Sequence, residues 1–412
     1  MTLAAENAAV ARLRNLQTIR ECCREILTLA DADALMHFRL HREQLDKTAD
    51  YVLATIEDRY PDLDIPFHSR WRHFQVDGVD RWQALADKMP HSDRASIARM
   101  RIELAVTSVL LDAGAGDRWR YVETDSGNTY ARSEGLAVAS FHMFGAGAFS
   151  CEAGSPLQAD AEGLRGIGPE DLTQAFQIRT DNPLVGAAGR AALLRSLGEA
   201  LPKNPDLFGQ ENPRVGNLFD YLAARAVGNR LPIVEIFAAV LRALAPIWPE
   251  RIQLGGENLG DVWRHGAIQR DDPSNGLVPF HKLSQWLSYS LVEPLEEAGI
   301  QVTDLDSLTG LPEYRNGGLF VDLGVLALRQ PELAKHSHDP GSELIVEWRA
   351  LTLALLDELA VIIRARLSLD AQQLPLTRIL EGGTWAAGRN AANERRAGGG
   401  PPIVVRSDGT VF

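Results

Sequence analysis

The stretch Leu344-Ile345-Val346-Glu347-Trp348-Arg349-Ala350-Leu351-Thr352-Leu353-Ala354-Leu355-Leu356, continuing to Leu367, decides the fold class. Its apolar residues fall on nearly every side of a helix instead of along one stripe, and a helix apolar all round lies buried among other elements. Glu347-Trp348-Arg349 brings two charges into the head of that helix. Burying an arginine without a partner costs several kcal/mol, so Arg349 needs a structural or a functional partner.

Outward from this helix the same period recurs. Val10, Leu13, Leu16, Ile19, Cys23, Ile26 and Leu27 stand three and four apart, which predicts one helical face. Further helices are predicted over 190–201, 218–244, 283–298 and 319–328. Strand signals are few. Trp119–Glu123 and Thr129–Ser133, separated by Asp125-Ser126-Gly127-Asn128, read as a hairpin, and a second small hairpin is predicted over 403–406 and 410–412, turning at Asp408-Gly409. The chain is therefore mainly α with minor β hairpins, without the strand–helix alternation of a doubly wound sheet. No internal linker appears. Gly398-Gly399-Gly400-Pro401-Pro402 sets a tail, 398–412, apart from a single large helical domain, 1–397.

Composition narrows the function. Hydrophobic residues make up 45% of 412, enough for a large core. The net charge of -13 argues against bulk nucleic acid as a partner, because binding a duplex requires a cationic surface to displace counterions. A small anion is compatible with it, since one arginine-lined pocket is invisible in a whole-chain sum. No apolar run reaches membrane-spanning length, and Met1–Asn7 lacks the basic and apolar regions of a secretory signal. Cys22, Cys23 and Cys151 form no paired framework, which fits a reducing cytoplasm.

Walker A, dinucleotide, nucleophile-elbow and zinc-helix motifs are all absent from the sequence. Four clusters could carry chemistry. Pro66-Phe67-His68-Ser69-Arg70-Trp71-Arg72-His73-Phe74 has the guanidinium forks that bind phosphate or carboxylate, and equally the make-up of an amphipathic connector. The hairpin tip carries Asp125 and Asn128, residues that a tight turn needs whatever its function. His281-Lys282-Leu283-Ser284-Gln285-Trp286 precedes Thr309-Gly310-Leu311-Pro312-Glu313-Tyr314-Arg315-Asn316-Gly317-Gly318, where a carboxylate on a bend beside Tyr and Arg could activate water or stabilise a cation. A solvated surface loop explains the same residues. The fourth cluster joins Glu347-Trp348-Arg349 to Gly382-Gly383-Thr384-Trp385-Ala386-Ala387-Gly388-Arg389, whose glycines suit a ligand rim. His336-Ser337-His338-Asp339 has His-x-His spacing, but Asp339-Pro340 reads as a helix start, and no metal site is expected.

The strings Ile65–Phe74, Asp181-Asn182-Pro183-Leu184-Val185-Gly186 and Glu313–Gly318 resemble the uracil catabolism protein four family over essentially the whole chain. That resemblance implies a place in pyrimidine degradation, where uracil is converted to its nucleotide and the ring is then opened. A fainter resemblance is to the queuosine-salvage nucleosidases, helical proteins related in fold to DNA glycosylases that hydrolyse a nucleotide's N-glycosidic bond. Their Tyr-Lys-Arg-Ala-Gln string is similar to His281–Gln285, Ala-Asp-Tyr-Arg to Pro312–Arg315, Asp-x-x-Asn to Asp125–Asn128 and Glu-Ile-Arg-Ala to Glu347–Ala350, in the same order. This chain departs from them in having Glu at 313, one methylene longer than Asp, and Leu-Ser after Lys282.

Together the resemblances imply an N-ribosyl hydrolase that releases urea from ribosylurea 5′-phosphate. Glu313 and Lys282 would be catalytic. Asp125 and Asn128 would meet the ureido group, and Arg70, Arg72 and Arg389 the phosphate. His68, Tyr314, Arg315, Arg349 and Trp385 would complete the site, with a small phosphorylated metabolite as partner and no cofactor. Two rival expectations are a metal-dependent amidohydrolase using His68, His73, His336 or His338, and a non-catalytic pathway scaffold.

Overall fold

The computed structural model describes residues 2–89, 92–248 and 252–406. It is 56% helical and 9% strand, and its sheets are separate pairs of strands. The protein is therefore mainly α with minor β, as the periodicity predicts. No helix among the described residues is long and apolar enough to cross a membrane.

Contacts divide the chain into two compact units that alternate along the sequence. Of the described residues, the first comprises those within 2–68, 252–285 and 305–406, and the second those within 69–248 and 286–304. No linker composition marks the crossings. One falls inside the basic-aromatic string, between His68 and Ser69, and another inside the helix Lys282–Glu297.

In the first unit the helix Glu343–Leu367 is central, and every residue from Leu344 to Leu356 is buried. It packs on Leu16–Asp31, where Arg20 reaches Asp357 at 2.9 Å and the carbonyls of Ser307 and Leu308. The apolar face expected through residue 27 belongs to two helices, Leu3–Leu13 and Leu16–Asp31. Asn15 causes the break, because its side chain accepts the Gln17 N–H and caps the second helix. Glu347 pairs with backbone: its Oε1 accepts from the N–H groups of His37 and Phe38, anchoring the strand Phe38–Leu40, which runs antiparallel to Leu326–Leu328. The helix predicted over 319–328 is accordingly Tyr314–Asp322 followed by that strand.

Within 398–406 the chain is packed against the unit. Ile403 is fully buried, and Val404–Val405 pairs parallel with Ser337–His338. The described half of the predicted second hairpin thus pairs elsewhere, while 407–412 lies outside the described residues. Pairing also corrects the reading of Asp339-Pro340, since the central helix begins later, with Ser342 at its N-cap.

The second unit gathers the helices Arg94–Leu110, Arg132–Gly145, Ala187–Ala200 and Ile233–Leu244. The predicted hairpin is present as Tyr121–Val122 paired with Thr129–Tyr130. It is shorter than expected because a helix starts at Arg132. The helix expected over 218–244 is broken: Leu218–Ala223 ends, Gly228 and Asn229 take positive φ, and Arg230–Pro232 pairs with Gln301–Thr303 before Ile233–Leu244 begins. Apolar periodicity continued across the break, but Gly228-Asn229 turns the chain and Pro232 cannot continue a helix.

Pro294 lies within the helix Lys282–Glu297. Lacking an N–H, it leaves the carbonyl of Ser290 without its helical donor. Trp71 Nε1 donates to that carbonyl at 2.8 Å, and the Ser290 hydroxyl accepts the Arg70 N–H. The missing proton of one proline thereby fixes the Arg70–Phe74 segment in the second unit.

Candidate functional site

Glu313 occupies the N-cap of the helix Tyr314–Asp322. Its Oε2 accepts the N–H of Arg315 and its Oε1 that of Asn316, each at 2.7 Å. Ser, Thr, Asp and Asn are the usual caps, and a glutamate must fold back to reach these donors. The result is a half-buried carboxylate fixed at the positive end of a helix, with a lone pair on each oxygen still available.

The loop that delivers Glu313 is held from both sides. Buried Gln285 receives the Thr309 N–H at 2.8 Å and donates to the Thr309 hydroxyl at 2.8 Å, tying the turn of helix that carries Lys282 to this loop. A Cβ at Gly310 would meet Leu356 Cδ1 at 2.5 Å, so any larger residue there must displace that side chain of the central helix. Buried Asn316 donates to the Leu311 carbonyl and accepts from Thr384.

Thr384 ends a single π-helical turn, Leu380–Thr384, between the helices Leu376–Ile379 and Trp385–Arg395. Such turns often mark functional positions. Gly382 and Gly383 let it lie tightly on neighbours, since Cβ atoms there would come within 2.9 Å of Ile65 and 2.7 Å of Val52. Residues 65–68 run along it: the His68 N–H donates to Thr377, and His68 Nδ1 is 2.7 Å from Glu381. The His68 ring lies 6.1 Å from that of Trp385. Arg315 is only 4% exposed, with its guanidinium 5.0 Å from the Tyr314 ring and 5.1 Å from the Trp385 ring. Exposed Arg389 stands 6.0 Å from the Trp385 ring. The first unit thus brings Tyr314, Arg315, Trp385, Arg389 and His68 together beside Glu313.

Arg349 finds its partner in Asp261, through Nη1–Oδ1 at 2.8 Å and Nη2–Oδ2 at 2.9 Å, and lies 4.1 Å from the Phe280 ring. Asp261 also accepts Trp263 Nε1 and the Lys282 N–H. Burial opposes ionisation of Asp261, but the Arg349 charge and these hydrogen bonds outweigh it and hold the carboxyl far below the usual range. His281, just before Lys282, takes φ 48, and its ring meets the Leu13 carbonyl at 2.9 Å. Burial pushes that imidazole below the usual histidine range. Lys282 therefore projects, half-buried, from a fixed backbone, and Arg349 is the structural ion pair that orders it.

The remaining candidates belong to the second unit. Arg70 has no exposed surface, and its guanidinium is consumed by Asp112 at 2.8 Å, the Ser108 hydroxyl and the carbonyls of Ser108 and Ser133. That corrects its expected phosphate role, because no N–H remains at a surface. Arg72 is paired with Glu293, which also accepts the Ser69 hydroxyl at 2.5 Å. Trp71 stacks edge-on to Phe74 and Trp82, with Arg101 3.8 Å above its ring. Arg70–Phe74 is thus the connector of the two readings, whereas His68 belongs to the other unit.

The hairpin tip is exposed. Asn128 Nδ2 donates to Tyr130 Oη at 3.3 Å, Ser126 Oγ to Glu123 Oε2, and Asp125 faces solvent. Below it, buried Glu123 receives Arg81 through two bonds of 2.7 and 2.8 Å and His142 Nε2 at 2.8 Å. The Arg81 hydrogen bonds, against the opposing effect of burial, hold Glu123 down to about 2. Sequence reasoning placed Glu123 in the hairpin-tip string without its partners, and missed His142, Asp261 and Glu381 as members of clusters, since a partner far along the chain leaves no local signal. Gln285 had one: it is part of the string that carries the nucleosidase resemblance.

Among the described residues no group of three or more His, Cys, Asp and Glu is placed to hold a metal. His336 is exposed, and His338 Nε2 meets the Leu333 carbonyl at 2.7 Å. A cavity of about 310 Å³ lined by Arg24, Asp31, Arg42, Asp357 and Glu358 contains none of the candidate residues.

A family model described as "Protein of unknown function (DUF1688)" matches residues 12–412. The chain belongs to the DUF1688 family. Two curated proteins are similar over 98% of this chain and 99% of their own length: "Protein urg3" of Schizosaccharomyces pombe, 40% identical, and "Uracil catabolism protein 4" of Lachancea kluyveri, 37% identical. The membership covers both units of this DUF1688 chain and every candidate residue.

Proposed function

We propose that this protein acts in uracil catabolism as an N-ribosyl hydrolase, converting ribosylurea 5′-phosphate and water into urea and ribose 5-phosphate. The pathway follows from the name of the Lachancea kluyveri relative, and the reaction from the nucleosidase resemblance. The observation that carries the chemistry is the capped carboxylate of Glu313, held at 2.7 Å by two backbone N–H groups. Breaking the glycosidic bond builds positive charge at the anomeric carbon, and a fixed carboxylate stabilises that charge and directs water. Water adds hydroxide to the anomeric carbon and yields its proton to Glu313, and that proton is returned through solvent to the departing ureido nitrogen. Lys282, on its fixed backbone beside the Asp261–Arg349 pair, orients the ribose hydroxyls or the leaving group.

The test is urea release from ribosylurea 5′-phosphate by the purified protein. Glu313→Asp keeps a preferred cap residue but withdraws the carboxylate, so turnover should fall by ~10²–10⁴ with folding unchanged. No urea from the wild-type protein, or full activity in both Glu313→Asp and Glu313→Gln, overturns the reading.

A further inference from the structure

We propose that Arg315 and Arg378, linked through the rings of Trp385, His68 and Phe67, form a subsite for a phosphate monoester, a deepening of the hydrolase reading on which it partly rests. Arg315 is 4% exposed, yet among the described residues its guanidinium has neither an ion pair nor a hydrogen bond, only the rings of Tyr314 and Trp385. Every other described arginine buried this deeply is matched: Arg70 with Asp112, Arg81 with Glu123, Arg101 with Glu297, Arg349 with Asp261, and Arg190 with four carbonyls. Ring contacts offset only part of the cost of desolvating a cation. They also use no guanidinium N–H in a conventional hydrogen bond, so the fork that binds phosphate in two bonds is unspent.

Arg378 repeats the arrangement. It is half-buried, its Nε is buried without a hydrogen bond, and its guanidinium lies 5.4 Å from the Phe67 ring. Among the described residues it too has no ion pair. Phe67 and His68 connect it to the others, because His68 contacts both Glu381 and Trp385, on whose ring Arg315 and Arg389 converge. Among the acids nearby, Glu381 is paired with His68 at 2.7 Å and lies 3.9 Å from Arg59, while Glu313 is capped by neutral N–H groups and keeps its charge. Arg315 and Arg378 together still outnumber that one carboxylate, in a protein of net charge -13. A dianion is the complement that two unmatched guanidinium groups on an aromatic platform accept. Adjacency to Glu313 fits a sugar phosphate, with the phosphate on the arginines and the anomeric carbon toward the carboxylate.

Calorimetric titration of the full chain with ribose 5-phosphate, ribose and inorganic phosphate tests this without requiring turnover. Ribose 5-phosphate should bind, ribose should bind at least ~10-fold more weakly, and Arg315→Gln and Arg378→Gln should each weaken ribose 5-phosphate by ~10- to 100-fold, the scale of a lost charge-assisted pair. Arg315→Lys should recover part of the loss, and Arg179→Gln, at an exposed ion pair, should change nothing. Should Arg315→Gln fail to fold, Arg378→Gln decides, since that side chain is half-buried. Equal binding of ribose and ribose 5-phosphate, or unchanged affinity in folded Arg378→Gln, overturns the subsite. Arginine-dependent binding in a protein that releases no urea supports the subsite and sinks only the hydrolase reading.

Discussion

Glu123 and Glu313 are both carboxylates beside polar donors, and their partners give them different work. Arg81 holds Glu123 down to about 2. A depressed carboxylate stabilises the fold above its unfolded pKa of about 4.3 and loses that contribution as pH falls through the folded value. The difference amounts to roughly 3 kcal/mol, so urea-unfolding free energies measured from pH 5 to 2 should fall by about that much. Glu123→Gln should remove this acid limb, and at pH 7 it should cost ~3–5 kcal/mol because Arg81 is left buried without its counter-ion. An unchanged acid limb would mean that the pair is not formed. Glu313→Gln places an amide against two N–H donors, so about 0.5–2 kcal/mol of cap stability should disappear, with Glu313→Asp close to wild type in thermal unfolding. Loss of the fold in Glu313→Asp would show that the long side chain is structural.

Between elements, two close contacts make sharper claims. A Cβ at Gly388 would lie 2.3 Å from the Arg315 carbonyl, so the helices Tyr314–Asp322 and Trp385–Arg395 touch backbone to backbone. Gly388→Ala must separate them, and we expect a loss of ~1–3 kcal/mol together with weaker ribose 5-phosphate binding as Arg315 shifts on Trp385. Normal affinity in that variant would argue that Arg315 does not reach the ligand. The Trp71–Ser290 bond exists because Pro294 has no proton to give. Trp71→Phe should therefore cost about 1–3 kcal/mol for the orphaned carbonyl. The same change should cost less in a Pro294→Ala background, where the new N–H serves Ser290. Equal costs in the two backgrounds would show that indole packing, not the hydrogen bond, fixes the segment.

At the level of the whole molecule, burial sorts the three thiols. Cys22 and Cys23 are enclosed, burial pushing Cys22 up to about 11 and Cys23 well above its ordinary value, while Cys151 is exposed. A thiol reagent should modify one cysteine in the native protein and three in denaturant; rapid native reaction of a second would require the helix Leu16–Asp31 to open locally. Net charge acts at this scale as well. An acidic chain captures an anion only where local arginines outnumber acids, so ribose 5-phosphate binding should weaken with salt much less than surface-driven association does.

The sequence by itself determined the helical class, the central helix, the 121–130 hairpin and the strings around Glu313 and Trp385, because periodicity and turn chemistry are local properties. It misplaced the 218–244 and 319–328 helices where Gly228-Asn229 and the strand Leu326–Leu328 interrupt an unbroken apolar pattern. Only tertiary structure decided which arginines are spent. Arg70 and Arg315 look alike in sequence, each beside aromatics, yet Arg70 meets Asp112 and, among the described residues, the Arg315 guanidinium meets only rings. The partner of a buried charge comes from a distant part of the chain, and packing, not spacing, supplies it.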